Sequence, residues 1–120
     1  MRCTNFRGNY QKEIFDITMK FPKEEMYTLT DQIRRSSRSI GAQIAEAWGK
    51  RSYQKHFVSK LTDAVGEGLE TLRWIETAQD CAYLSIETSR GLLEKYDFIG
   101  KMMNSMINKS ASFCGKSAVT

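Results

Sequence analysis

The feature of this chain that most constrains its fold is the spacing of its apolar residues, which recur every three or four positions along most of its length. This period is typical of amphipathic α-helices, and a proline inside a helix would interrupt it. Pro22 is the single proline among 120 residues. The sequence therefore predicts an all-helical chain with few turns.

Four periodic segments follow one another, at about residues 6–21, 23–48, 52–82 and 86–107. Four amphipathic helices with short connections predict an all-α fold, an antiparallel up-down-up-down four-helix bundle. A chain of this length forms one domain, for which we predict residues 1–109. The remaining residues, 110–120, have no helical period and are predicted to be a flexible tail.

The predicted helix starts carry residues that favour such positions. Pro22 suits the first turn of the second helix, where its missing N–H costs nothing. Ser52 and Ser85 are predicted to be the N-caps of the third and fourth helices. In the second helix, the stripe that faces the core is centred on Ile33, Ile40 and Ile44.

Composition argues against several classes of protein. The chain has no apolar run near the roughly 18 residues of a membrane span, and its start, MRCTNFRGNYQ, lacks the apolar block of a signal peptide. We therefore predict a cytoplasmic protein that does not bind membranes. The three cysteines are far apart and form no CxxC pair, so they are predicted to be free thiols.

Sites for metals, cofactors or catalysis are also not indicated. His56 is the only histidine, which excludes a site built from several histidines. The chain contains no phosphate-binding GxxxxGK[ST] or GxGxxG motif and no GxSxG elbow. The sequence thus predicts a protein without a cofactor, and favours a binding or assembly role over an enzyme.

The second helix carries many small side chains away from its core stripe. They are Ser36, Ser39, Gly41, Ala42, Ala45 and Ala47. Another helix can approach such a low surface closely, whereas a helix covered on one face alone normally carries long polar side chains elsewhere. This pattern predicts that the helix is buried on more than one side, by a second protomer of a homo-oligomer.

Charge is unevenly distributed along the chain. Residues 34–60 hold seven basic residues against one acid, a balance of +6, and residues 61–100 hold three bases against eight acids, a balance of −5. One interpretation is a basic surface for phosphates. The other is pairing between oppositely charged helices, within or between chains.

The segment FPKEEMYTLTDQIRRSSRSIGAQIAEAWGKRS, residues 21–52, resembles the 23S rRNA intervening-sequence protein family, also called the four-helix bundle protein family. The family pattern is close to FPxxExYxLxxQIRRAxxSIxxNIAEGxGR. The matching positions are Phe21, Pro22, Glu25, Tyr27, Leu29, Gln32, Ile33, Arg34, Arg35, Ser39, Ile40, Ile44, Ala45, Glu46 and Gly49. The chain departs from the pattern at Gln43, Ala47 and Lys50, and the resemblance covers roughly residues 10–109.

The resemblance implies a left-handed bundle that assembles as a ring-shaped homopentamer and has no enzymatic activity. It also implies association with RNA or with a nucleic-acid enzyme, since relatives are encoded in ribosomal RNA genes or serve as accessory proteins of reverse transcriptases. The biochemical role of the family is largely unassigned.

The leading hypothesis is therefore a homo-oligomer that binds structured RNA, or a ribonucleoprotein, through a basic surface. The candidate residues are Arg34, Arg38, Lys50, Arg51, Lys55, His56 and Lys60. Because no aromatic platform is recognisable beside them, they are predicted to contact phosphates without reading bases. The alternative is an assembly module without a nucleic-acid role, in which Arg34 and Arg35 pair with Glu46, Glu67 or Glu70.

Overall fold

The computed structural model describes residues 3–114, with side chains from residue 11 onward. Its α-helices are α1 (Cys3–Thr18), α2 (Leu29–Gly49), α3 (Gln54–Asp80), α4 (Ile86–Asn108) and α5 (Ser110–Cys114). A single 3₁₀ turn, Lys23–Glu25, lies between α1 and α2. The described part of the chain contains no strand, which confirms the prediction of an all-α four-helix bundle.

The bundle is elongated, 52 × 24 × 21 Å, and its core contains side chains from all four long helices. Each long helix packs against the next along the chain, and α2 and α3 share the most extensive contact. The predicted core residues Ile33, Ile40 and Ile44 are buried, as are Phe57 and Tyr96 of the facing helices. An ion pair of 2.7 Å between Lys95 Nζ and Glu13 Oε1 links α4 to α1.

The start of α2 differs from the prediction. Pro22 caps the short 3₁₀ turn instead of the long helix, which begins six residues after Lys23, at Leu29. Thr28 has φ −120° and ψ −101°, so the backbone leaves the helical region between the two elements. The Glu25 carboxylate accepts hydrogen bonds from the Thr28 hydroxyl and, at 3.4 Å, from the Leu29 N–H. Glu25 thereby satisfies backbone and side-chain donors where a local cap is missing.

The starts of α3 and α4 show one wrong and one correct prediction. Tyr53, not Ser52, precedes α3, and no side chain caps that helix. Ser85 does cap α4, where its Oγ accepts a 3.1 Å hydrogen bond from the Thr88 N–H.

The predicted flexible tail is wrong for its first residues. Residues 110–114 form α5, with Ser110 and Cys114 buried. The Gln54 amide donates a 2.8 Å hydrogen bond to Ser110 Oγ, and Phe113 stacks near Phe57 of α3. A five-residue helix is too short to show as a period in the sequence, so these tertiary contacts decide its conformation. Residues 115–120 lie outside the described part of the chain.

Five of the six small residues of α2 fall into two groups, and the sixth, Ser39, is half-buried. Ser36, Gly41 and Ala47 are buried inside the bundle, and the Thr71 hydroxyl of α3 donates a 2.8 Å hydrogen bond to Ser36 Oγ. Ala42 and Ala45 are exposed on the outer side of the same helix. Close packing within one chain therefore accounts for part of the small-residue pattern, and the rest of the pattern remains on the surface.

Candidate nucleic-acid interface

The junction between α2 and α3 gathers the positive charge that the sequence places in this half of the chain. Its basic corner consists of Lys50, Arg51, Lys55 and His56, and all four side chains are exposed. None of them forms an ion pair within the described residues. Lys50 and Arg51 extend from the end of α2, and Lys55 and His56 lie in the first turn of α3. The corner therefore presents positive charge that no acid in the described fold neutralises.

Aromatic side chains surround this basic corner. The rings of Trp48, Phe57 and Phe113 form a cluster with centroids 6.0 to 6.3 Å apart. Phe57 is fully buried, and Trp48 is partly open to solvent. Tyr53 is 66% exposed, and its ring centroid lies 5.7 Å from that of His56.

The sequence predicts no aromatic platform beside these residues, whereas the structure places the exposed ring of Tyr53 next to that of His56. The signal is present in the segment WGKRSY, where Trp48 and Tyr53 flank the basic run. Sequence reasoning misses it because Trp48 fits the core period of α2 and Phe113 lies in a segment without a period. The fold brings Phe113 back to the junction through α5.

Arg51 is the most firmly held member of the basic corner. Its Nε donates a 3.0 Å hydrogen bond to the Trp48 carbonyl oxygen, and its guanidinium carbon lies 4.2 Å from the centroid of the Trp48 ring. A guanidinium stacked on an indole is ordered by the cation–π attraction and keeps its outer edge available for phosphate.

The other three predicted RNA-binding residues lie outside the basic corner. Arg34 Nε donates a 2.7 Å hydrogen bond to Thr18 Oγ1, and its guanidinium lies 4.4 Å from the Phe15 ring centroid, so it joins α2 to α1. Arg38 is exposed, but it lies twelve residues, about 18 Å of helix, before Lys50.

Lys60 is engaged by an acid of the neighbouring helix. Its Nζ lies 3.0 Å from Glu46 Oε1. The hydrogen bond and the charge of this carboxylate raise the pKa of Lys60. Four of the seven predicted residues are thus brought together, and Arg34 and Lys60 have structural partners instead.

The four residues predicted to form oligomer or structural ion pairs show a different set of contacts. Arg35 Nε lies 4.0 Å from Asp31 Oδ2 on the same helix, and Glu46 pairs with Lys60. Glu67 and Glu70 form no ion pair within the described residues. None of the expected pairs of Arg34 or Arg35 with these acids forms inside the described chain, and pairing between chains stays a prediction.

Burial and neighbouring charges nevertheless shift the pKa of the Glu67 carboxyl. Burial raises the pKa of the Glu67 carboxyl, the charge of Glu70 raises it further, and the charge of Arg35 partly offsets both. The side of the α2–α3 pair that carries these residues therefore has interacting charges without a direct ion pair.

Membrane-spanning helices and metal sites were also sought among the described residues. No helix among them is long and apolar enough to cross a membrane. Within the same residues, no group of histidine, cysteine and acidic side chains is arranged to hold a metal ion.

The fold and this corner define a helical-bundle protein with a basic, aromatic-lined surface. The family model for the 23S rRNA-intervening sequence protein matches residues 8–105. The chain belongs to that family.

The chain was also compared with solved structures and with proteins that have curated descriptions. The chain is similar to a protein of unknown function from the S23 ribosomal protein family of Bacteroides thetaiotaomicron, with 25% identity and a TM-score of 0.74. The similarity covers 88% of this chain and 94% of the other. No significant match exists among proteins with curated descriptions.

Proposed function

We propose that this protein is a non-enzymatic, RNA-binding member of its family, and that the basic corner is the surface that contacts the RNA. The observation that carries the proposal is the grouping of three exposed cations, Lys50, Arg51 and Lys55, with the exposed His56 beside exposed aromatic rings. None of these four residues has an acidic partner among the described residues. Lys50 and Lys55 supply point charges for phosphates, and Arg51 supplies a planar donor. The name of the family is consistent with an RNA ligand.

The aromatic rings narrow the kind of RNA that fits. Tyr53 and His56 present adjacent rings at the surface, and rings of this kind stack on bases that are not held in a helix. An RNA duplex exposes its phosphates, but its bases are stacked inside the helix and their faces are not accessible. The proposed ligand is therefore a structured RNA with an unpaired loop or end, in which phosphates meet Lys50 and Lys55 and a base meets Tyr53.

The proposal is tested with the triple variant Lys50→Glu/Arg51→Glu/Lys55→Glu and a fluorescein-labelled RNA stem–loop. Reversing three phosphate-contacting charges is expected to weaken binding by at least about 100-fold and to reduce the dependence of affinity on salt. Fluorescence anisotropy at several salt concentrations measures both effects. The matched control is Lys20→Glu/Lys23→Glu/Arg73→Glu, which reverses three exposed charges elsewhere.

The outcome separates binding at the corner from general attraction. Equal losses in both triple variants would show that net charge alone attracts the RNA. Unchanged binding by the corner variant would remove the assignment. Circular dichroism and light scattering on each variant check that its helix content and its oligomer mass match those of the wild type.

The homo-oligomer belongs to the same proposal, with a pentamer as the expected state. Ala42 and Ala45 leave the outer side of α2 low, so the helix of a second protomer can approach it closely. Multi-angle light scattering is expected to give five times the 13.8 kDa chain mass. A monomer would refute the assembly.

The alternative function, an assembly module without RNA binding, rests on Arg35. This side chain is exposed and has only the 4.0 Å ion-pair contact with Asp31 among the described acids, while its charge acts on Glu67. If Arg35 completes an ion pair across protomers, Arg35→Ala will dissociate the oligomer. Loss of oligomer in that variant, together with no RNA binding by the wild type, would favour the module over the RNA-binding protein.

A further inference from the structure

A second surface, remote from the basic corner, lies in the groove between the C-terminal half of α3 and the first turns of α4. Its floor is apolar and consists of Leu72, Ile86 and Leu93. Ile86 is 61% exposed, so most of this large apolar side chain is open to solvent. Leu72 and Leu93 are half-buried and pack against the core, so the apolar lining of the groove is most open to solvent at Ile86.

Acidic side chains flank this apolar floor. Glu76 of α3 and Glu94 of α4 are exposed on the rims of the groove, and neither forms an ion pair within the described residues. Asp97 also lines the groove and pairs with Lys101 at 3.2 Å. Arg90 is the one cation among the described lining residues, which leaves three acids against one base.

We infer that this acidic groove docks a basic amphipathic helix of a partner protein. A groove between two helices accepts the side-chain ridge of a third helix, and the apolar floor requires apolar residues along that ridge. The unpaired carboxylates on both rims require lysine or arginine on the flanks of the partner helix. The inference concerns a different surface from the proposed RNA site and does not rest on it.

The dimensions of the groove set the length of the partner helix. Ile86 and Asp97 are eleven residues apart on α4, which corresponds to about 16 Å, or three helical turns. Apolar residues at positions i, i+3 or i+4, and i+7 of the partner would lie on Leu72, Leu93 and Ile86.

The test uses a fluorescein-labelled helical peptide of about 14 residues, with leucines at these positions and lysines on both flanks. Two matched peptides replace either the lysines with glutamate or the leucines with serine. Fluorescence anisotropy with the full chain is expected to show binding of the leucine–lysine peptide alone. Equal binding of the serine peptide would overturn the inference, because it would show attraction by charge without the apolar groove.

Variants of the protein locate the binding. The double variant Glu76→Gln/Glu94→Gln is expected to lower the affinity of the protein for the leucine–lysine peptide about tenfold. Ile86→Ser should also weaken it, and this exposed position can be changed with little cost to the fold. Glu24→Gln/Asp63→Asn changes two exposed acids elsewhere that form no ion pair in the described chain, and should stay within about twofold of the wild type. Similar losses in both double variants would overturn the inference.

Two controls separate this surface from the rest of the molecule. The Glu76→Gln/Glu94→Gln variant should keep the affinity of the wild type for the RNA stem–loop, whereas the triple variant of the basic corner should keep its affinity for the peptide. If the groove variant instead changes the mass of the oligomer in light scattering, a second copy of this chain occupies the groove, and the inference of a partner protein is wrong.

Discussion

The junction of α2 with α3 and the junction of α3 with α4 are both short loops in the same bundle, but their side chains are used in opposite ways. In the first, residues 50–53 are all exposed, and their cations have no acidic partner in the described chain. In the second, Leu84 is buried, and the Tyr83 hydroxyl donates a 2.9 Å hydrogen bond to Glu25 Oε2. The Tyr83 ring also lies 5.6 Å from that of Phe21.

The comparison shows which of the two loops stabilises the fold. The α3–α4 loop is attached through Tyr83 to the 3₁₀ turn between α1 and α2, so it contributes contacts that hold the helices together. The α2–α3 loop leaves strongly hydrated charges in one place, which adds repulsion and no internal ion pair among the described residues. Charges that have no partner in the described fold are available for a ligand, and this is the physical basis of the proposal that RNA binds there.

The largest effect is expected from the aromatic side chain beneath the basic corner. Phe57→Ala should lower the free energy of unfolding by about 3–5 kcal/mol, because Phe57 is fully buried and touches both Trp48 and Phe113. Urea denaturation followed by circular dichroism measures the change. A loss below about 1 kcal/mol would show that this end of the bundle is loosely packed.

The second prediction separates binding from stability at the same corner. Tyr53→Ala should weaken RNA binding by about 5- to 100-fold, the effect of losing one stacked base. The free energy of unfolding should change little, since Tyr53 is mostly exposed. Tyr53→Phe is the matched control and should retain binding, because stacking needs the ring and not the hydroxyl. A Tyr53→Phe variant as weak as Tyr53→Ala would refute stacking as the contribution of this residue.

The third prediction concerns the anchored α3–α4 loop. Ala82 has φ +65°, a left-handed conformation that disfavours residues with a Cβ atom. Ala82→Gly should therefore stabilise the fold by about 0.5–1 kcal/mol, after allowance for the greater freedom of glycine in the unfolded chain. The denaturation midpoint measures the gain. Ala42→Gly, within α2, should have the opposite sign and cost about 1 kcal/mol.

The smallest predicted effect is a pH dependence of the contact between this loop and Glu25 of the 3₁₀ turn. Hydrogen bonds from Thr28 and then from Tyr83 lower the pKa of the Glu25 carboxyl from its ordinary 4.5. A carboxyl with a lowered pKa in the folded state stabilises the protein above pH 4.5, and this contribution is lost as the pH falls through the lower, folded value.

Thermal unfolding between pH 6 and pH 3 measures this contribution. Glu25→Gln should have a lower melting temperature than the wild type at pH 6, and the difference should shrink as the solution becomes acidic. Glu24→Gln changes the neighbouring exposed acid and should follow the wild-type curve. A constant difference between Glu25→Gln and the wild type at every pH would show that the loss of the carboxylate charge is not responsible.

The fold class, the core stripe of α2 and the cap of α4 were predictable without the structure. These features depend on local spacing, because a three- and four-residue period places Ile33, Ile40 and Ile44 on one side of any helix. A serine followed three residues later by an available N–H, as at Ser85 and Thr88, is equally local. Membership of the family is also a local property, since the motif that indicates it lies within residues 21–52.

The contacts between distant residues depended on how the helices pack. This packing placed Phe113 beside Trp48, connected Glu25 to Tyr83, and gave Arg34 and Lys60 partners on other helices. The physical reason is that a charge or a ring in a sequence carries no information about the element packed beside it. The basic residues were therefore visible from the sequence, but which four of them lie together without an acidic partner in the described chain, and which aromatic rings lie among them, depended on the packing of the bundle.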